Sequence, residues 1–493
     1  MSLSSLLNSL SDKSDNWSDF LLPSAINEAK QMVNSNSFRA LFLFGVIAFL
    51  FMSLFLYNMP TSNDTGQIFF LLFSSIMDVG LILFIPLMIY QNMSFERSNG
   101  SFELMAITSI TPLKIVLGKW QSGMLQGIIF GSIATPGLIF SYFFDGVAIS
   151  MIFVSLVLTI IGAQFSILVS IFFCSLGVLK STRLFLQVVT LISSIIILSF
   201  TIGFKSGLTY RDTALAKLFT TDFIIGFFIF LLVFLTVEIL LIVISAAQLS
   251  PYSANKSSMP KLVFSVLVLE IGLIFIFETA SYGSFHIMIL SLFVHAFFSF
   301  FFMMEKDLLS KKLFDQLQKK ENILKQIWKK LFYPGVSSAF LLYLTQIAFL
   351  GFSFCFCLMN SSPTYFRGNN EFNLLGVISC FVFYFSAIYL TVGGLQALFP
   401  HITTSAKAFA SVFVLLLIFI IPFILYLNFE NADEMLLMSI FYHLTERNNG
   451  DINYLNLVIT ILFLTPALIL AIFSNKRKVE EVRAFAAGER GSV

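Results

Sequence analysis

Four carboxylates fall inside apolar stretches of this chain: Asp78, Glu238, Glu270 and Glu278. An ionised carboxylate in hydrocarbon costs about 2.5–3.5 kcal/mol on insertion scales, so each must be protonated, paired or turned toward water. Asp78 sits mid-span beside Ser74 and Ser75. With Glu238 and Glu270 it has the chemistry of a translocation path or a proton relay. The plainer reading is an interhelical hydrogen bond, worth about 0.6 kcal/mol on average. Glu278 lies near a span boundary, where it need only reach headgroups, and His286 and His295 read as packing or interface residues. A second cluster lies between two apolar stretches: Glu96, Arg97, Gly100, Glu103, Pro112, Lys114, Gly118 and Lys119. There Gly100 permits a turn, Ser101 can cap a helix from Phe102, and Pro112 suits a first helical position with Thr111 as cap. Two short helices carrying both signs of charge suit docking to another protein.

The elements that position these residues follow from composition. The chain has 493 residues, 57% of them hydrophobic, only 11% charged, and 62 are Phe; its mean hydropathy is +0.90. Such a chain is an all-α polytopic membrane protein, because hydrocarbon leaves unpaired backbone groups no partner and about 20 apolar residues cross it as a helix. Twelve spans are predicted, near 40–58, 67–92, 120–142, 148–174, 184–203, 221–247, 263–280, 285–304, 335–359, 373–399, 406–428 and 453–473. With the N-terminus cytoplasmic, five of the 29 Lys and Arg (Lys205, Arg211, Lys217, Arg367 and Arg447) fall outside and the remainder inside. That asymmetry is the positive-inside pattern and puts both termini in the cytoplasm. The polar, Ser-rich first 35 residues have no charged n-region, so no cleavable signal peptide is expected.

The organisation predicted is a cytoplasmic N-terminus over 1–39 with an interfacial amphipathic helix at 23–38, and a first six-helix half over 40–247. Residues 248–304 then hold a loop and spans seven and eight, 335–473 hold spans nine to twelve, and 474–493 form a cytoplasmic tail. Between them, 305–334 reads as a basic amphipathic helix: Leu309, Leu313, Leu317, Leu324, Trp328 and Leu331 share a face and lysines fill the rest. It suits either the anionic inner leaflet or a partner surface. A shift of 224 residues lays the first span on the seventh, consistent with a parallel six-plus-six repeat. Gly162, Ser166, Ser170 and Cys174 recur every four residues, a helix-packing face that lets two backbones approach. Gly393-Gly394 is a similar contact or a flexible point. All four cysteines (Cys174, Cys355, Cys357 and Cys380) lie in predicted spans, with neither zinc spacing nor a disulfide framework.

The run from Phe95-Glu96-Arg97 to Gly118-Lys119 resembles the loop after the second span of type-2 ATP-binding-cassette (ABC) exporter permeases. Their hallmark is a Glu, a Gly-Thr-x-Glu-x-Leu stretch, a Pro-containing turn and a Gly-Lys pair. Here Glu96, Gly100, Glu103, Leu104, Pro112, Gly118 and Lys119 fill those places, with Ser101 where Thr is usual. Cys174-Ser175 through Ser181-Thr182-Arg183 is similar to the family's loop between spans four and five. Pro23 to Phe38 resembles its entry helix: Glu28 matches, while Asn27 and Leu22 replace the usual Arg and Asn. The resemblance covers about residues 23–247.

What the resemblance implies is the membrane permease subunit of an exporter in the cytoplasmic (inner) membrane, with 93–119 as ATPase-coupling loop. Glu96, Arg97, Glu103 and Lys114 then transmit motion into spans two and three. The chain contains no G-x-x-x-x-G-K-[ST] run, and Gly118-Lys119 is followed by Trp120 without the leading Gly. ATP and Mg are therefore expected on a separate P-loop ATPase subunit, with no cofactor, metal or enzymatic chemistry in this chain. The other expected partners are membrane lipids and, unless the two halves form a pseudo-dimer, a second permease chain; no nucleic acid is expected. Two rivals stay open: an ion-gradient-driven secondary transporter using Asp78 or Glu238, and an ABC-associated scaffold without transport of its own. Against the first, the loop carries no Gly-x-x-x-Asp-Arg-x-Gly pattern. The substrate is not written in any motif.

Overall fold

A computed structural model describes residues 23–57, 65–99, 111–143, 147–177, 180–210, 220–250, 255–277 and 331–360, with 291, 294–295, 298–299, 302, 322, 382, 386–392, 461–462 and 464–471. Gly100, Glu103, Glu278, His286, Gly393-Gly394 and nearly all of the basic helix at 305–334 lie outside the described residues, as do most of the spans predicted at 285–304, 373–399, 406–428 and 453–473. Seven of the described helices are long and apolar enough to cross a membrane. No strand occurs among the described residues. The chain is a multi-pass helical membrane protein.

It divides into two units, Met1–Pro251 and Tyr252–Val493. The first holds α1 (Pro23–Val33), α2 (Asn36–Tyr57), α3 (Thr65–Asp78), a π-helical segment (Val79–Phe84), α4 (Ile85–Ser98), α5 (Pro112–Ser141), α6 (Ile149–Leu176), α7 (Lys180–Tyr210) and α8 (Thr221–Leu249). From Gly66 to Ser98 the helix is continuous through the π segment. Its core is apolar: Phe70, Phe73, Ile82, Ile85, Met93, Phe130, Leu138, Ile167 and Ile171 are buried. Elsewhere large apolar side chains such as Leu54, Phe153, Phe185 and Phe200 are exposed, as lipid contact demands.

Both helices flanking the loop after the second span are longer than hydropathy predicts. The second span continues to Ser98, and the third begins at Pro112, the first helical position. Thr111 is extended at the cap position, although its side chain makes no cap hydrogen bond. Glu96 and Arg97 therefore ride on the last turn of α4, and Lys119 stands two turns into α5.

The π segment interrupts the regular α-helix of the second span. At Gly80 a Cβ would run into the Phe130 ring, so only glycine admits the close approach of α5. Ser166 of α6 donates to the Ile82 carbonyl at 2.7 Å and contacts Ser194 of α7 at 3.0 Å.

In the second unit α9 (Ser258–Phe277) packs on α10 (Val336–Asn360). Between them His295 is stacked against Phe264 and Tyr343, with ring centroids at 5.3 and 5.0 Å. Its Nε2 meets Gln346 Oε1 at 3.0 Å, and Gln346 Nε2 donates to Ser265 at 2.9 Å. Lys261 is buried and donates to the Tyr333 carbonyl at 3.0 Å and to Ser338 at 3.2 Å.

Candidate functional site: a charged clasp and a buried ion pair

The first site gathers at the end of the first unit where α4 stops and α5 starts. Lys119 is nearly inaccessible and reaches both carboxylate oxygens of Glu96, at 2.6 and 2.7 Å. The same Nζ lies 3.2 Å from Glu28 Oε1 on α1. Helix α1 is held there because its small apolar face is covered: Ala25, Ala29 and Met32 are buried, and Gln126 of α5 donates to Met32 Sδ at 2.9 Å. What the sequence reads as an interfacial helix thus packs on the protein itself.

Two arginines extend this clasp. Arg97 Nη1 donates to the carbonyls of Cys174 and Ser175, both at 2.8 Å, where the last turn of α6 leaves its acceptors unpaired. A cation at a helix C-terminus also complements the helix dipole. Arg183 on α7 donates to the Ser94 carbonyl at 3.0 Å, and Tyr90 returns a bond to the Arg183 carbonyl at 2.6 Å. Three cations therefore bind five helices (α1, α4, α5, α6 and α7) at one end. Lys114, by contrast, is exposed on the first turn of α5, and Gly118 is buried.

One cation between two carboxylates leaves an excess of negative charge. Burial pushes the Glu28 carboxyl above its ordinary range, Lys119 opposing the rise and Glu96 reinforcing it. Its Oε2 is buried without a hydrogen-bond partner. A proton held more tightly in the folded state stabilises it below the ordinary carboxylate range, and that contribution is lost as pH rises through the elevated value. Wild-type thermal stability should therefore fall as pH rises through this window, and Glu28→Gln should flatten the slope. A pH profile of melting temperature for both proteins decides; equal slopes refute the assignment.

The second site lies within the helices. Lys205 Nζ meets Asp78 Oδ1 and Oδ2 at 2.8 and 2.7 Å, Ser74 at 2.8 Å and Thr159 at 2.7 Å. Thr159 is also 2.7 Å from Asp78 Oδ1, and Ser74 contacts Ser155 at 3.2 Å. Asp78 and Lys205 are both inaccessible. This corrects the predicted end of the fifth span at 203: Lys205 belongs to no loop, because α7 runs on to Tyr210. Sequence reasoning counts Lys205 among the outside cations and passes over Thr159 and Ser155. The available signal is the buried polar stripe Thr190, Ser194, Thr201, Lys205 and Thr209, which keeps helical spacing past the predicted end.

The remaining candidates lie on other elements. Glu238 of α8 is nearly buried and hydrogen-bonds Gln164 of α6, not the Asp78 cluster. Glu270 belongs to the second unit and is half-buried on α9. Gly162, Ser166, Ser170 and Cys174 are buried along α6; a Cβ at Gly162 would lie 3.0 Å from Ile82 and 3.1 Å from Thr201. No group of His, Cys, Asp or Glu that could hold a metal occurs among the described residues.

No family model, no curated protein and no solved structure matches the chain.

Proposed function

We propose that this chain is the transmembrane permease subunit of an ATP-driven ABC exporter, coupled to a separate ATPase subunit through the loop 93–119. The full reading has twelve spans, both termini cytoplasmic and a parallel six-plus-six repeat in the inner membrane. The observation that supports it best is the clasp around Lys119, Arg97 and Arg183. A push on the loop between α4 and α5 acts on helices already tied to α1, α6 and α7, so it moves the bundle rather than a free loop. The helix from Gly66 to Ser98 carries Glu96 at one end and Asp78 about 27 Å away along the axis, with the π segment between. π turns recur at functional sites and offer a place where such a rod can change register.

Glu96 is committed to Lys119, so a charge reversal there would damage the clasp as well as any docking surface. The cleaner test pairs Glu103→Arg with Lys114→Glu, since Lys114 is exposed and bonded to none of the clasp residues. The tagged chain is purified in mild detergent and co-purifying proteins are identified by mass spectrometry. A P-loop ATPase should accompany the wild type and be lost from the double variant. Its absence from the wild type would overturn the reading. An ion-gradient-driven carrier is the second reading, because a charged pair buried between α3 and α7 is what such a carrier uses. Uptake into proteoliposomes driven by a gradient without ATP would favour it. An intact ATPase complex that moves no solute would favour the scaffold.

A further inference from the structure

A crevice of about 720 Å³ opens between α3, the π segment, α5 and α6. Along α5 it runs from Met124 to Ile139, about 22 Å at 1.5 Å per residue. Met77, Leu81, Leu156 and Ile160 form its sides, and Phe140 and Phe143 stand where α5 ends. Among the described residues Ser132 and Thr135 are its only hydroxyls, and each donates to its own helix, to the carbonyls of Ile129 at 2.6 Å and Gly131 at 2.8 Å. The lining is otherwise overwhelmingly apolar, so water gains little there. An apolar gap beside bilayer lipid loses dispersion contacts along its lining unless hydrocarbon fills it.

The dimensions choose the occupant. Dividing 720 Å³ by that length gives a mean cross-section of about 33 Å². A helix with its side chains is about 10–12 Å across, which is more than twice that area. The slot is therefore too narrow for a helix of a second copy and wide enough for one extended hydrocarbon chain. Its long axis follows α5, as a lipid chain follows the bilayer normal, and its Phe143 end lies where that helix stops. The small residues of α5 make the floor: a Cβ at Gly127 would lie 3.2 Å from Leu81, whereas at Gly131 nothing stands within 4 Å.

We propose that this crevice is a binding site for one acyl chain of a membrane phospholipid, entered from the Phe143 end. The site is independent of the exporter reading and holds whether or not the chain binds an ATPase.

The test uses the full chain in phospholipid nanodiscs containing phosphatidylcholine with a photoactivatable diazirine at mid-chain. Labelled peptides are mapped by mass spectrometry. Peptides covering 124–139 should be labelled about fivefold more than the exposed face of α7 around Ile192 and Ile196, because a pocket holds most of its ligand's surface. Gly131→Phe fills the slot from its open floor and should bring that labelling down to the α7 level. Ile160→Trp fills it from α6 and should do the same. Gly226→Phe, at another position with nothing within 4 Å of the added carbon, should leave it unchanged. Equal labelling of α5 and α7 in the wild type overturns the proposal, as does undiminished labelling in both slot-filling variants.

Discussion

Lys205→Met should destabilise the first unit by about 3–5 kcal/mol, the usual cost of removing one partner from a buried pair. In a unit of this size that lowers the melting temperature by on the order of 10 °C. The side chain removed is inaccessible and contacts both oxygens of Asp78 together with Ser74 and Thr159. Methionine matches its length and fills the same channel, so packing changes little and electrostatics dominates. What remains is a carboxylate enclosed by α3, α6 and α7, with one hydroxyl from Thr159 in place of a cation.

The double variant Asp78→Asn with Lys205→Met separates the explanations. Asparagine keeps an acceptor for Thr159 and carries no charge, so most of the lost stability should return. A buried pair replaced as a whole is often neutral, whereas a broken one is not. The coupling energy from the double-mutant cycle measures the interaction itself. Thermal melts of the purified chain in detergent, read by size exclusion, supply all four corners. If the double variant melts no higher than Lys205→Met alone, the pair is not what holds these helices.

Why this pair escapes a reading of the sequence is instructive. Hydropathy ends the fifth span at 203 because a lysine terminates an apolar window, yet in the folded unit the lysine is the most deeply committed residue of α7. The polar face of α7 and the Ser155, Thr159, Gly162 and Ser166 face of α6 are each readable at helical spacing. That they meet Asp78 is not, since Lys205 and Asp78 stand 127 positions apart. The π segment is equally silent, because Val79-Gly80-Leu81-Ile82-Leu83-Phe84 reads as ordinary apolar helix. The start of α5 is legible, since Pro112 after Thr111 is a local signal that needs no tertiary partner. At the loop, the residue types that bear charge are legible in the sequence. Their mutual pairing through Lys119, which makes Glu96 part of a clasp, is a tertiary fact.

Lys119→Met tests that clasp, and its effect should be local where that of Lys205→Met is global. Glu28 and Glu96 keep 21% and 28% of their side-chain surface, so water screens the two carboxylates left facing each other. The cost lies between that of a buried broken pair and an exposed one, about 2 kcal/mol. It falls on α1, whose buried side chains among the described residues are Ala25, Ala29 and Met32. Arg97 and Arg183 still tie α4, α6 and α7, so the spans should remain assembled while α1 lifts. Hydrogen exchange should therefore show lost protection over residues 23–33 with little change in α6 and α7. Lowering the pH should restore it: burial already raises the Glu28 carboxyl, and with the opposing cation gone it holds its proton more tightly docked than free, so docking gains below that elevated value and weakens as pH rises. Adding Glu28→Gln and Glu96→Gln to Lys119→Met should restore docking at neutral pH, since no charge is left uncompensated. Uniform loss of protection across the unit, or none at all, would show that α1 is held by something other than this ion triad.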